Sequence, residues 1–398
     1  MSSEVRTGIV GVGNMGSAHA QHIARGDVPG MRLTAVCDNN PAKLKLAEER
    51  LGDGIRYFSS YEDLLSDPDL DAVIIAVPHP LHPVIAAEAL KKGLNVLTEK
   101  PAGIDTASVR KVNEIARASG KVYGIMFNQR TNELYAKLRE LMQNGTLGEM
   151  KRFVWIISNW YRTQAYYDSG EWRATWNGEG GGVLMNQCPH NLDLWQWIAG
   201  MPSRIRAVCR VGQYHDIRVE DDAVIYAEYA NGANGIFITS TGEYPGTNRL
   251  EISCTRGKAV IENGTLTLSL LDEDERVLVR TSKNGFEKYP VHEVRISQTK
   301  PDSAHIGILK NFTDAILHGT PLLAPGTDGI YELTLCNAAY LSSWTDSWVD
   351  LPLDEEKYLK FLREKQQKEK SGEGNRARRS DESITAGEYS DRWSVRWN

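Results

Sequence analysis

Gly11-Val12-Gly13-Asn14-Met15-Gly16 reads G-x-G-x-x-G. Glycine is common, so the pattern gains weight only from its surroundings. A strand is predicted just before it, over residues 6–11, and a helix over 15–25. In that setting Gly11 permits the tight turn, Gly13 lets the backbone approach a pyrophosphate, and Gly16 lets helix and strand pack closely. The helix N-terminus, carrying Asn14 and Met15, offers unpaired N–H groups and positive dipole character to phosphates. An acidic residue is expected at the end of the second strand, about 20 residues on, and Asp38 stands there. A carboxylate at that point accepts hydrogen bonds from ribose hydroxyls and repels a 2′-phosphate. Asn39 and Asn40 follow and bring no arginine to hold such a phosphate. NAD is therefore favoured over NADP.

Outward from this motif, strand and helix patterns alternate through residue 127. Strands are predicted at 31–37, 72–77, 95–98 and 122–127, and helices after Pro41 and at 61–65, 84–92 and 106–118, with Ser60 as an N-cap. The run AVIIAV at 72–77 suits a strand buried on both faces. Such alternation implies a parallel sheet with helices on both sides. The pattern changes near residue 150. A strand at 151–158, a helix at 190–199 and strands at 205–211, 223–229, 235–239, 250–253, 259–262 and 266–270 follow, with Asn-Gly turn signals at 231, 234 and 263. We read one antiparallel sheet of about six strands, followed by helices at 304–317 and 331–344. The fold class is α/β: an N-terminal Rossmann domain over 1–127 and a C-terminal α/β domain with an open, mostly antiparallel sheet over 128–355. Helices near 128–145 and 302–345 are placed to pack back on the first domain. Residues 356–398 read as a charged linker, an exposed helix end running into flexible chain, and a tail whose Trp393 and Trp397 argue for docking.

Composition narrows the function. The 398 residues are 41% hydrophobic and 25% charged, an ordinary globular balance with room for a large core. Net charge is −6, which disfavours nucleic acid as a partner. No apolar run approaches the roughly 18 residues of a membrane span, so no membrane partner is expected. The N-terminus lacks a secretion pattern. Five scattered cysteines without C-x-x-C fit reduced thiols, and a cytoplasmic location is expected.

Further motifs carry a resemblance. Glu99-Lys100-Pro101 follows the fifth strand, Val77-Pro78 with His82 makes P-x-x-x-H after the fourth, and Asn128 opens a segment after the sixth. Residues 180–193 match G-G-G-x-L-x-D-x-x-x-H-x-x-D at all but one marked position. Over roughly residues 5–350 the chain resembles the Gfo/Idh/MocA family of NAD(P)-dependent sugar and inositol oxidoreductases. The resemblance implies Lys100 and His190 as the family's catalytic Lys and His, with the C-terminal sheet as the interface of a homodimer or homotetramer. It also implies cofactor contacts at His82, Glu99, Lys100 and Asn128, and puts Trp172-Arg173 near the nicotinamide end. The departure is Asn186, where many dehydrogenases of the family carry Asp.

Oxidising a secondary alcohol removes a hydride from carbon and a proton from oxygen, so a base must meet the hydroxyl. Lys100 suits polarisation of the developing alkoxide. The His190 imidazole suits the proton, and an amide at 186 cannot exchange one as a carboxylate does. Asn186 is expected to orient His190 or a substrate hydroxyl, and Asp193 to support its helix or hold the imidazole. His79 and His82 lack a zinc-type ligand cluster, so no metal is expected. Nine aromatic side chains fall between residues 155 and 197. Trp155, Trp195 and Trp197 are assigned to the core. Residues 161–176, with Arg162, Tyr166, Trp172 and Arg173, are read as a loop over the site that binds a bulky carbohydrate. Substrate contacts are thus expected from Lys100, Arg162, Tyr166, Trp172, Asn186 and His190. Three readings compete. One is an NAD-dependent dehydrogenase of a sugar, glycoside or inositol. Another is a redox-neutral glycosidase or lyase that returns the hydride. The third is a non-catalytic NAD sensor or assembly partner.

Overall fold

The computed structural model describes residues 4–372. Its first half runs β1 (Val5–Val10), α1 (Asn14–Ala24), β2 (Met31–Cys37), α2 (Pro41–Leu51), β3 (Arg56–Phe58), α3 (Tyr61–Leu65), β4 (Ala72–Ile75), α4 (His82–Lys91), β5 (Asn95–Thr98), α5 (Thr106–Ser119) and β6 (Tyr123–Ile125). The six strands are parallel, in the order β3-β2-β1-β4-β5-β6. This is the doubly wound order that opens a ligand crevice where the connections reverse, between β1 and β4. Local chemistry starts the helices. Asn40 caps α2 through Ala42 and Lys43, with Pro41 in its first turn, and Ser60 and Asp105 cap α3 and α5. Every residue of β4 is buried, as the apolar run requires.

The second half adds α6 (Glu133–Gln143), β7 (Met150–Ile157), α7 (Gln164–Asp168), α8 (Pro189–Ala199), β8 (Arg204–Val211), β9 (Glu220–Glu228), β10 (Asn234–Ser240), β11 (Asn248–Cys254), β12 (Gly257–Glu262), β13 (Thr265–Leu270), α9 (Glu275–Thr281), β14 (His292–Ser297), α10 (Ala304–His318), α11 (Gly329–Thr345), β15 (Val349–Asp350) and α12 (Glu355–Lys370). Its sheet has nine strands rather than about six, in the order β14-β13-β12-β11-β7-β10-β9-β8-β15. The difference lies in β7, which joins as a central strand, and in the edge strands β14 and β15. β14 is almost wholly exposed, with an alternation of only two apolar residues, Val294 and Ile296, and β15 has two residues, so neither carries a strong strand signal. One pair, β7 with β10, is parallel. The inner face packs on α8: Trp195 stacks between Phe153 and Phe237, and Gly235 leaves it room, since a Cβ there would lie 2.8 Å from the indole.

Two further expectations are corrected. Residues 355–370, read largely as linker, form α12. Its Tyr358 and Leu362 are buried, Tyr358 hydrogen-bonds Ile104 O, and Glu369 accepts the Trp176 and Asn177 N–H groups. Charge predominates in α12 because only one face docks. The loop that carries Trp176 turns this side chain into the core, against Tyr340 and Trp344, rather than over the site. Trp393 and Trp397 lie outside the described residues. The later helices return to the first half, where Asn337 brackets the start of α5 by bonding Ile104 O and Thr106 N.

Candidate active site

One cavity of about 960 Å³ runs from the glycine loop to the segment after β7 and the start of α8. Gly11, Gly13, Asn14 and Met15 line one part, with Asp38 and Asn39 beside them. Gly11 has φ +91°, open to glycine at low cost. A Cβ on Gly16 would lie 1.7 Å from Gly11 O, so Gly16 does not line the cavity but lets α1 sit under the loop. A Cβ on Gly13 would meet no protein atom within 4 Å. The loop is thus tight beneath and open above, as a bound pyrophosphate requires, and no side chain caps the first turn of α1. Asp38 accepts the Val12 and Asn40 N–H groups at 2.9 Å each, which fixes its carboxylate. Glu62 adds a second carboxylate at this end, although Lys43 lines it too.

Val77, Pro78 and His82 line the crevice between the two ends. The His82 ring lies 2.7 Å from both Val77 O and Pro101 O, so it fixes the loops after β4 and β5. His79 bonds Glu179 O across the two halves. No group of three or more potential metal ligands occurs among the described residues. Glu99 accepts from His19 at 2.8 Å. Burial is the largest single influence and raises its pKa, but the His19 hydrogen bond and the neighbouring His19, His305 and Lys100 charges together outweigh it and hold it at about 2. Asn128 lines the cavity and bonds His305, a residue the sequence reading missed.

The far end gathers Lys100, Asn186, His190, Trp160, Arg162, Tyr166, Trp172 and Arg173. Lys100 Nζ donates to Asn186 O at 2.8 Å, and burial pulls its pKa below the ordinary lysine value against the nearby Glu99 charge. His190 is buried and Nδ1 has no partner among the described residues. Desolvation, then the Lys100 charge, lowers its pKa well below the usual imidazole value, so the ring is neutral and can accept a proton. The Trp172 ring sits edge-on to His79 at 5.6 Å, and the Arg173 guanidinium lies over both Trp172 and Tyr166. Tyr166 Oη receives Arg173 at 2.7 Å and the amides of Asn186 and Gln187 at 3.2 Å each. Residues 183–187, within the glycine-rich motif, form a π-helical turn, an irregularity frequent at functional sites.

At two positions the structure removes one of the two expected roles. Asn186 bonds neither His190 nor a group on its helix. Its amide donates to Tyr166 and to Glu179. Asp193 does not hold the imidazole; it makes a buried two-point ion pair with Arg130, at 2.7 and 2.9 Å. Glu179 and Gln187 were missed. A glutamate just before three glycines, seven residues from an asparagine where a carboxylate was expected, was the available signal for the first.

A parallel 3-2-1-4-5-6 sheet with its glycine loop and ribose-side carboxylate defines an NAD-binding oxidoreductase of Rossmann type. Residues 5–127 match the model for the oxidoreductase family with NAD-binding Rossmann fold, and residues 135–260 that for the GFO/IDH/MocA C-terminal domain. The chain belongs to the Gfo/Idh/MocA family. It is 27% identical over 350 residues to the uncharacterised oxidoreductase YrbE of Bacillus subtilis, covering 86% of this chain and 95% of that one. It is 25% identical to the myo-inositol 2-dehydrogenase of Thermotoga maritima, covering 84% and 95%. Among solved structures, the WlbA dehydrogenase of Bordetella pertussis in complex with NADH and UDP-GlcNAcA matches with TM-score 0.73 and 26% identity, over 88% of this chain and 100% of that one. The cofactor is NAD, and no helix among the described residues is long and apolar enough to cross a membrane.

Proposed function

We propose that the protein oxidises a secondary hydroxyl of a sugar, glycoside or inositol. The observation that carries this reading is the single cavity joining the glycine loop and Asp38 to Lys100, Asn186 and His190. The inositol dehydrogenase of Thermotoga maritima and the sugar nucleotide in the WlbA complex support the substrate class. Bound NAD would accept the hydride at nicotinamide C4, and Gly11, Gly13, Asn14, Met15, Asp38, Asn39, Val77, Pro78, His82, Glu99 and Asn128 would hold it, with Trp172 and Arg173 at its reactive end.

The Lys100 ammonium, kept in a buried setting, stabilises negative charge developing on the substrate oxygen. His190, neutral and lining the cavity, takes the hydroxyl proton. Tyr166, Trp172 and Arg162 surround the sugar: aromatic faces meet its C–H surface and polar groups its hydroxyls. The same arginine-lined aromatic end favours, as a second reading, a glycoside on which the hydride returns after elimination.

The two proton-handling roles separate by mutation. Lys100→Met should lower kcat by about 1000-fold while NADH binding persists. His190→Asn should lower it by about 100-fold and add a dependence on external buffer base. Wild-type turnover in both variants would refute the assignment.

A further inference from the structure

Asn186 replaces the carboxylate that the family pattern carries, yet a carboxylate lies directly behind it. Glu179 is 1% exposed and lies outside the cavity lining, whereas Asn186 lines it. Asn186 Nδ2 donates to Glu179 Oε1, and the Ala174 N–H donates to Glu179 Oε2 at 2.7 Å. Asn186 Nδ2 also donates to Tyr166 Oη at 3.2 Å. Its carboxamide oxygen makes no hydrogen bond to the described residues.

A carboxamide has a donor end and an acceptor end, and its neighbour decides which end meets the substrate. An ionised Glu179 can only accept. It therefore holds the NH2 end and leaves Asn186 Oδ1 to accept from a substrate hydroxyl. A protonated Glu179 must place an O–H. The Ala174 N–H claims Oε2, so the proton sits on Oε1 and the amide must turn its oxygen to receive it. The NH2 end then meets the substrate and cannot accept.

We propose that Glu179 is a positioning residue: its buried carboxylate sets the carboxamide of Asn186, and the two residues together do the accepting work of the single aspartate in the family pattern. This rests on the carbohydrate-oxidising reading. The groups facing Glu179 are Arg173 and Lys100, the phenols of Tyr166 and Tyr167, and His79, bonded to its backbone carbonyl. Burial raises the Glu179 pKa to about 7, against Arg173, the Ala174 N–H, Asn186 and Lys100. Burial lowers the pKa of His79 and His190 well below the usual imidazole value, so these rings stay neutral near that pH. Substrate binding therefore weakens as pH falls through neutrality.

The test uses the full-length protein with NAD, myo-inositol, glucose and methyl glucoside as probes. In Glu179→Gln the Ala174 N–H still claims the side-chain oxygen, so an NH2 faces Asn186 at every pH. KM should rise about tenfold and lose its dependence on pH below neutrality, with NADH affinity unchanged. Adding Asn186→Asp supplies an acceptor to that NH2 and a second oxygen to the substrate, so KM should return to within about threefold of wild type. Infrared difference spectra of the apoprotein give a readout that needs no substrate. Two buried carboxyls, Glu179 and Glu220, give protonated-carboxyl bands that vanish as pH rises through about 7; one band should be missing from Glu179→Gln while the Glu220 band remains. If the Glu179 band titrates but wild type reduces no NAD with any probe, the carbohydrate reading fails and the Glu179 to Asn186 device stands. An unchanged KM profile in Glu179→Gln, a double variant no better than the single one, or no titrating band that Glu179→Gln removes overturns the proposal.

Discussion

Gly13 and Gly16 both belong to the glycine motif, but the structure gives alanine different consequences at each. Gly13 has φ −71°, which alanine adopts without strain, and an added Cβ meets no protein atom within 4 Å. Folding should lose about 1 kcal/mol or less, the scale of an N-cap change. Gly13 lines the cavity, so the methyl occupies space meant for the pyrophosphate. One methyl forced into a close-packed contact costs about 1–3 kcal/mol, which is roughly 5- to 150-fold in Kd. At Gly16 the added Cβ falls 1.7 Å from Gly11 O, and α1 must move off β1. That overlap should cost about 3 kcal/mol of stability as well as affinity. NADH titration, read by energy transfer from Trp160 and Trp172 at the cavity wall, gives the affinities. Urea unfolding gives the stabilities. Gly13→Ala should bind weakly yet unfold like wild type, and Gly16→Ala should fail in both. Wild-type NADH affinity in Gly13→Ala would refute the placement of the pyrophosphate over this loop.

Asp193→Leu strands the buried Arg130 guanidinium, held otherwise by Asp328 and Leu323 O. Denaturant midpoints should report a loss of about 3–5 kcal/mol. Glu220, bonded by Tyr340 and the N–H groups of Gly182 and Leu184, is raised by burial from 4.5 to about 7. The folded state thus keeps a proton that the unfolded state releases over that window, so stability falls as pH rises through it, by about 3 kcal/mol at most. Glu220→Gln should remove that part of the slope in urea titrations taken across the window. On the outer face of the second sheet, Val208 pairs with Val224 and Tyr226 packs against Trp348, all exposed. We propose this face as a homo-oligomer contact; Tyr226→Lys should lower the mass seen by light scattering, and a wild-type monomer would refute it.

The first half was legible because its signals are local. Strand 95–98 is fixed by its own apolar run, and Ser60 and Asn40 cap helices from within the same segment. Site residues read from contiguous motifs also came together, Lys100 and His190 among them. Contacts made across long separations were not legible. Asp193 pairs with Arg130, 63 residues away, and no pattern at either position announces the other. The docking of α12 rests on a few side chains, Tyr358, Leu362 and Glu369 among them, within a highly charged segment. Edge strand β14 buries almost nothing, and its alternation, Val294 and Ile296 between polar residues, is too short to stand out after the exposed segment 271–291.

The central claim is tested most directly by nicotinamide absorbance. Purified protein is mixed with NAD and a panel of hexoses, inositols, anhydrosugars and glycosides, and carbohydrate products are followed by chromatography. The account predicts a steady rise of NADH with one class of polyol and a matching keto product. Cleavage of a glycoside with no rise in NADH would contradict it and assign the hydride a returning role.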